Sequence, residues 1–307
     1  MSHKIFLLSL AAATLSIATV VAPVSAQELE PRALVNAPVG VNFLVVSGGF
    51  LYGNVLLEPS LPLDDGKARL GTLALGYQRS IDFFGMAGRV GFVIPTATGE
   101  WEATLAGRDT STTRTGFGDP IVKFSFNFIG SPALRMSEFR SYRQSTIVGA
   151  SIAVTAPLGE YFPERLINLG TNRWSFSPRL GASQIVGRWL FEGYATASLY
   201  TTNDDFYGGQ TFEQDPFYDV QAHAIYGIRG ADMWVSGSVG YGWGGRSTID
   251  GVPKSQVENV RISGVLRLPL ARGHALKLAY INGLKTALGT DFDTFQLAYQ
   301  YTWGGKP

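Results

Sequence analysis

Large apolar and small or polar residues alternate through the last strand-length stretch of the chain. Phe295, Leu297, Tyr299, Tyr301 and Trp303 take the odd positions, with Gln296, Ala298, Gln300 and Thr302 between them. Successive side chains of an extended chain point to opposite faces, so this spacing predicts a strand with one apolar and one polar face. The same split recurs upstream. The first predicted strand puts Val39, Val41, Phe43 and Val45 on one face, the second Leu73, Leu75 and Tyr77, and the third Val90, Phe92 and Ile94. The fourth sets Val122, Phe124, Phe126 and Phe128 against Lys123, Ser125 and Asn127. The fifth carries Val148, Ile152 and Val154, and the sixth opposes Trp174, Phe176 and Leu180 to Arg179 and Ser183. Trp189, Phe191 and Leu199 then face away from Glu192, Thr196 and Ser198, and Tyr218, Val220 and Tyr226 away from Asp219, Gln221 and His223. The ninth strand sets Met233, Val235, Val239, Tyr241 and Trp243 against Ser236 and Ser238. The tenth alternates Val260, Ile262, Leu266 and Leu268 with Arg261, Ser263 and Arg267, and the eleventh Leu276, Leu278 and Tyr280 with Lys277 and Ala279.

About twelve strands result, each near the ~9–11 residues that a tilted strand needs to cross a bilayer. Their connections alternate in length. The odd-numbered ones are long, at 53–67, 98–116, 156–173, 201–215, 245–256 and 283–292. The even-numbered ones are tight, at 81–85, 186–188, 229–232 and 270–274, with 130–144 as an exception that reads as a small periplasmic helix or an extra loop. Outer-membrane barrels have an even strand number, short periplasmic turns and long external loops. The predicted fold is therefore an all-β transmembrane antiparallel barrel, its apolar faces on lipid and its polar faces around a lumen. Trp189, Tyr241, Trp243, Tyr299, Tyr301 and Trp303 then fall where amphipathic aromatics meet the membrane interface. A soluble sandwich would need a core wide enough to bury all twelve apolar faces, and no repeat period marks a solenoid.

The N-terminus places this barrel. A basic start at His3 and Lys4, an apolar run from Ile5 to Val21 and the small-residue exit "VSA" describe a secretory signal peptide over residues 1–26, leaving 27–307 as the barrel domain. The chain has no Cys, which excludes a lipoprotein anchor, a disulfide framework and a Cys-ligated metal. Its net charge of +1 argues against nucleic acid as a partner. After the signal no apolar run approaches the ~18 residues of a spanning helix, yet mean hydropathy is slightly positive, as expected of a wall that meets lipid. The expected location is the bacterial outer membrane.

Three stretches resemble a known family: "TGFGDPIVKF" at 115–124, "APLGEYFPERLINLGTNRWSFSPRLGAS" at 156–183, and the Gly187–Tyr194 segment. They are similar to the bacterial meta-pathway phenol-degradation proteins, outer-membrane barrels often found near genes for breaking down aromatic compounds. The resemblance implies a transporter-like barrel and uptake of hydrophobic or aromatic molecules, not an enzymatic activity. The C-terminal strand, ending in aromatics, also resembles the signal read by the barrel assembly machinery, although "GGKP" follows Trp303 here.

Candidate chemistry lies on the polar faces. Arg89, Lys123, Arg179, Glu192, Asp219, Arg261, Arg267 and Lys277 all fall there, six basic against two acidic, together with His223. Such a lumen favours anionic or π-rich solutes. The competing reading is an ion-pair network filling a narrow barrel, for instance Arg179 with Glu192. No cofactor or metal site is indicated; "NDD" at 203–205 and "DFD" at 291–293 read as solvated loop carboxylates. Asp219 and His223 lie ~13 Å apart on one strand, so an enzyme would require a serine beside His223 or His274. Loop 156–173 either folds inward as a constriction or lies on the surface. The resulting function is a passive outer-membrane channel for small hydrophobic or aromatic compounds. The alternatives are a structural or adhesive barrel with a closed lumen and, last, an outer-membrane lipid hydrolase.

Overall fold

A computed structural model of the chain describes residues 29–56, 63–105, 108–228, 232–286 and 289–305; the expected signal peptide, 1–26, lies outside them. The wall is built from β1 (Val41–Leu56), β2 (Leu63–Phe83), β3 (Met86–Leu105), β4 (Arg108–Phe117), β5 (Ile121–Ile129), β6 (Thr146–Thr155), β7 (Ser175–Val186) and β8 (Trp189–Tyr200). After the short strands β9 (Asn203–Phe206) and β10 (Gln210–Gln214) come β11 (Phe217–Ile228) and β12 (Met233–Gly244). Strands β13 (Ser247–Ile249) and β14 (Val252–Pro253) are again short, and β15 (Val257–Ala271), β16 (His274–Thr286) and β17 (Gly289–Gly304) complete the wall. Neighbouring wall strands are antiparallel, and β1 pairs with β17 from Val41↔Gly304 to Leu56↔Gly289.

Strand β3 bonds β5 through Gly88–Val93 and β4 through Thr96–Leu105. β4 and β5 are thus two halves of one wall strand, interrupted at Gly118-Asp119-Pro120, where a proline lacks the N–H that a ladder needs. Counted so, the molecule is a closed antiparallel barrel of twelve strands. Tight turns join strands on one side, with Gly187 at φ 62° and Gly273 at φ 79°, values open to glycine at little cost. The 130–144 connection carries a one-turn helix, α1 (Met136–Phe139).

Three of the predicted long loops are shorter than the pattern suggested. The described residues of 53–67, 98–116 and 283–292 are largely strand, because threonine and cross-strand charge pairs continue the ladder beyond the apolar rows: Thr98 meets Thr115 hydroxyl to hydroxyl at 2.7 Å, and Arg69 lies opposite Glu100. The connections at 201–215 and 245–256 contribute the small sheet β14-β13-β10-β9. Loop 156–173 contains no strand.

The apolar rows look outward almost everywhere; Leu73, Val122, Leu180, Val239, Leu278 and Leu297 are all exposed to the lipid side. Strand β1 inverts the expectation. Val41, Phe43 and Val45 are at most 2% exposed and point inward, whereas Val46 and Phe50 point out. Both parities of "VNFLVV" are apolar, so alternation alone does not decide the face. The inside is dry here because Ala37 joins Val93, Ile121 and Ala298 in one packed cluster.

That cluster begins a larger feature. Residues 29–40 run inside the barrel before β1. Leu34 packs on Ile147 and Tyr194, and Val35 packs among Leu190, Ile225, Trp234 and Val265. Asn127 Nδ2 donates to Leu34 O at 2.9 Å, Arg89 Nη1 to Ala33 O at 3.1 Å and Asn36 Nδ2 to Pro132 O at 3.0 Å. These bonds satisfy backbone groups that have no ladder of their own.

Candidate lumen site

All nine residues expected on the polar faces point into the barrel, but they do not form one site. Lys123 and Arg179 converge on Glu30 of the N-terminal segment, whose Oε2 lies 3.6 Å from Lys123 Nζ and 3.7 Å from Arg179 Nη1. The anticipated Arg179–Glu192 pair is absent. The β7–β8 register sets Arg179 opposite Thr196, which accepts from its Nε at 3.1 Å, and sets Glu192 opposite Ser183. Glu192 instead accepts the backbone N–H of Arg32. Asp219 accepts from Gln221 Nε2 at 2.7 Å. Arg267 pairs with Asp232 at 2.9 Å beside the β11–β12 turn, and Arg261 and Lys277 stand on β15 and β16, away from the Glu30 group. The interface aromatics face outward in stacked groups: Trp189 with Phe191, Tyr241 with Trp243, and Tyr301 with Trp303. His274 stacks on Tyr301 and lies 2.5 Å from the Tyr299 hydroxyl.

A chamber of about 180 Å³ lies between β5–β8 and the N-terminal segment. Its floor is Glu30, Ala33 and Leu34; hydroxyls of Ser125, Ser151, Ser177, Thr196 and Ser198 line the walls beside Lys123 and Arg179. Loop 156–173 closes the roof with Leu169, Thr171 and Arg173, so it lies over the lumen. The Arg173 guanidinium sits 4.4 Å from the Tyr200 ring centroid and 4.7 Å from that of Phe212, and it donates to Gln214. Burial pulls its pKa down to about 10, against the opposing pull of Tyr200 and Asp119. Its Nη1 is buried without a hydrogen-bond partner. Sequence reasoning missed Glu30 and Arg173. Each stands in a segment with no alternation, and only folding of that segment onto the lumen shows its role.

A serine does stand beside His223: Ser238 Oγ is 2.8 Å from its Nδ1, and the strand registers align Glu192, His223 and Ser238 in one row. Nucleophilic catalysis needs more, namely access for substrate and N–H donors free for the oxyanion. Both residues are buried and neither lines the chamber. Residues 236–240, which include Ser238, are paired to strands on both sides, leaving no turn that could present N–H groups to an oxyanion. The pair stands buried in the lumen, joined through Nδ1 alone. Among the described residues no group of three acidic or histidine side chains could hold a metal.

With this geometry, an outer-membrane β-barrel with a partly filled lumen, the chain belongs to the family described as "Putative MetA-pathway of phenol degradation", whose model matches residues 61–287. Among solved structures it is similar to a COG4313 outer membrane channel from Pseudomonas putida F1, with 21% identity over 90% of this chain and 100% of that one and a TM-score of 0.75. The transport unit of the autotransporter AIDA-I from Escherichia coli aligns at 10% identity over 90% of this chain and 93% of that one, with a TM-score of 0.52. No curated protein matches the chain.

Proposed function

We propose that the protein is a passive outer-membrane channel for small aromatic solutes, taken up through the lumen chamber rather than through a wide water-filled pore. The observation that carries this reading is the chamber itself: hydroxyl-lined, with Tyr194 and Tyr200 as flat apolar surfaces and the unpartnered Arg173 Nη1 in its roof. A site of this kind holds a ring against aromatic surface and orients one polar substituent, the pattern of small-molecule sites generally. The lumen is less basic than its wall suggests, because Glu30 offsets Lys123 and Arg179. An oxygenated aromatic, neutral or singly charged, therefore suits it better than a strong anion. The protein does no chemistry on its solute. Its C-terminal strand, whose last aromatic is Trp303, serves recognition by the assembly machinery.

One observation favours the closed-barrel reading. The N-terminal segment crosses the lumen with buried apolar anchors, and small barrels fill with side chains. Titration calorimetry of the purified full-length protein with phenol and with benzoate, paired with planar-bilayer conductance, separates the two. Saturable binding of either probe supports the channel. No binding, together with no conductance in a variant lacking residues 27–37, supports the closed barrel.

A further inference from the structure

Above the apolar band, strands β1–β3 and β17 carry a polar shelf on their outer face. The registers set Glu100, Arg69, Tyr52 and Asp293 side by side in one row. The next row outward is Glu102, Lys67, Asn54 and Asp291. These positions share the parity of the exposed Leu73, Phe50 and Phe295, so the shelf lies outside the barrel and not in the lumen. Its height follows from β17, on which Trp303 marks the periplasmic interface and Asp293 lies 303 − 293 = 10 residues away. At ~3.4 Å per residue and a tilt of ~40°, the shelf stands ~26 Å from Trp303, at the outer edge of an apolar band ~25 Å tall.

Among the described residues no ion pair ties the exposed Lys67 and Arg69 to the carboxylates opposite them. Asp293 is held in place by the Tyr280 hydroxyl and by Asn282 Nδ2, which donates at 2.8 Å. A recess of about 380 Å³ lies between these side chains.

Directly below the shelf the lipid face is concave. A shallow groove of about 560 Å³ has Gly48 and Gly264 as its floor and the exposed Phe50, Tyr280, Phe295 and Leu297 among its walls. A Cβ on Gly264 would meet nothing closer than the Ser236 carbonyl oxygen at 4.0 Å, and one on Gly48 nothing closer than that of Thr72 at 3.6 Å. Crowding within the wall therefore requires neither glycine, and both leave room on the lipid side. Groove and shelf are continuous. The rings of Phe50 and Tyr52 are 6.0 Å apart, those of Tyr280 and Phe295 4.9 Å, and Tyr280 lines the groove while its hydroxyl bonds Asp293.

We propose that shelf and groove together bind a phosphorylated glycolipid of the outer leaflet, the lipid A part of lipopolysaccharide. The charge pattern selects it. Phosphates on the headgroup meet Lys67 and Arg69, which project from one face of β2, and charge-assisted contacts of this kind are the strong ones. Hydroxyls and amide N–H groups of its sugars donate to the carboxylates on either side. A simple phosphodiester lipid offers those carboxylates fewer donors. The acyl chains then lie in the groove. Lipid tails are as apolar as the groove, so the groove contributes shape and the headgroup most of the affinity. The site is outside the lumen and independent of the channel reading.

The test follows binding of fluorescently labelled lipopolysaccharide to the purified full-length protein in dodecyl maltoside by anisotropy, with folding of every variant verified by heat-modifiable migration. Wild type binds the label saturably, and unlabelled lipopolysaccharide displaces it. Lys67→Ser combined with Arg69→Ser lowers the affinity roughly tenfold or more, the size of a lost charge-assisted contact. Gly264→Phe fills the groove from the lipid side and lowers it severalfold. Gly193→Phe, at an exposed glycine that does not line the groove, leaves it unchanged. Affinity unchanged in the double variant or in Gly264→Phe overturns the site. Displacement by phosphatidylglycerol as readily as by lipopolysaccharide overturns it in favour of a general anionic-lipid surface, and displacement by inorganic phosphate in favour of a free-anion site. A wild-type dimer in sedimentation that binds no lipopolysaccharide and that Gly264→Phe dissociates assigns the face to a second copy of the chain and overturns the proposal as well.

Discussion

Glu30 and Arg179 meet at 3.7 Å inside the lumen, one from the segment before the first strand and the other from the middle of the wall. The contact makes the N-terminal segment part of the electrostatics of the channel, since the same Glu30 oxygen also faces Lys123. Inside a barrel such a pair is screened less than at a surface, so its removal is felt by any ion in the lumen.

Glu30→Gln leaves Lys123 and Arg179 without their shared carboxylate. The expected outcome in planar bilayers is more frequent opening and a shift of reversal potential toward anion selectivity. Deletion of residues 27–37 should give a larger, steadier conductance. A Glu30→Gln channel with wild-type gating and selectivity would show that the segment is held by its apolar anchors alone.

Those anchors have their own test. Ile147 is fully buried against Leu34 and Tyr194. Truncating a buried isoleucine to alanine costs about 2–5 kcal/mol through lost burial and the cavity left behind. Part of that cost is borne by the plug, so Ile147→Ala should speed protease cleavage within residues 29–40 while the barrel keeps its heat-modifiable migration. Unchanged cleavage would place the plug's stability elsewhere.

The lipid face and the lumen face are separated by a single residue step. Arg179 points inward and is accommodated; its neighbour Leu180 points to lipid and is 62% exposed. Leu180→Arg places a charge in hydrocarbon at ~2–4 kcal/mol near mid-bilayer. It should reduce the folded fraction on assembly into liposomes, whereas Ser177→Arg, one residue pair away on the inner face, should fold like wild type. Equal folding of the two variants would invert the faces assigned to β7.

Arg173 separates stability from function. Because burial lowers its pKa to about 10, the unfolded chain holds this proton more tightly than the folded one. Its charge therefore destabilises the fold by a constant amount below that value, and the penalty shrinks as pH rises from about 10 toward the ordinary arginine range. Replacing a buried cation by an apolar side chain of similar length is often neutral or stabilising. Arg173→Met should accordingly leave denaturant resistance at pH 7 unchanged or higher, while weakening benzoate binding roughly tenfold, the size of one lost charge-assisted hydrogen bond. Benzoate affinity equal to wild type would remove Arg173 from the binding site.

The architecture was legible in the sequence because a barrel in lipid imposes its physics on each strand separately. Every spanning segment must be extended, paired and apolar on its outer face, so period-two alternation along residues 295–303 or 121–129 reports both the strand and its orientation. The alternating lengths of the connections reported closure and sidedness in the same local way. Where both parities are apolar, as at Val41–Val46, alternation carries no orientation, and packing against Ala37 and Val93 decided the face. What only the tertiary structure decided is what fills the barrel. Glu30, Leu34 and Arg173 lie in stretches without periodicity, and their positions depend on contacts with strands far along the chain. The clamp of Asp119 on Gly159 and Thr171 is of the same kind. Asp119 reads in sequence as one carboxylate beside a proline, and it joins both ends of loop 156–173 to the wall by accepting from Gly159 N and from Thr171 N and Oγ1.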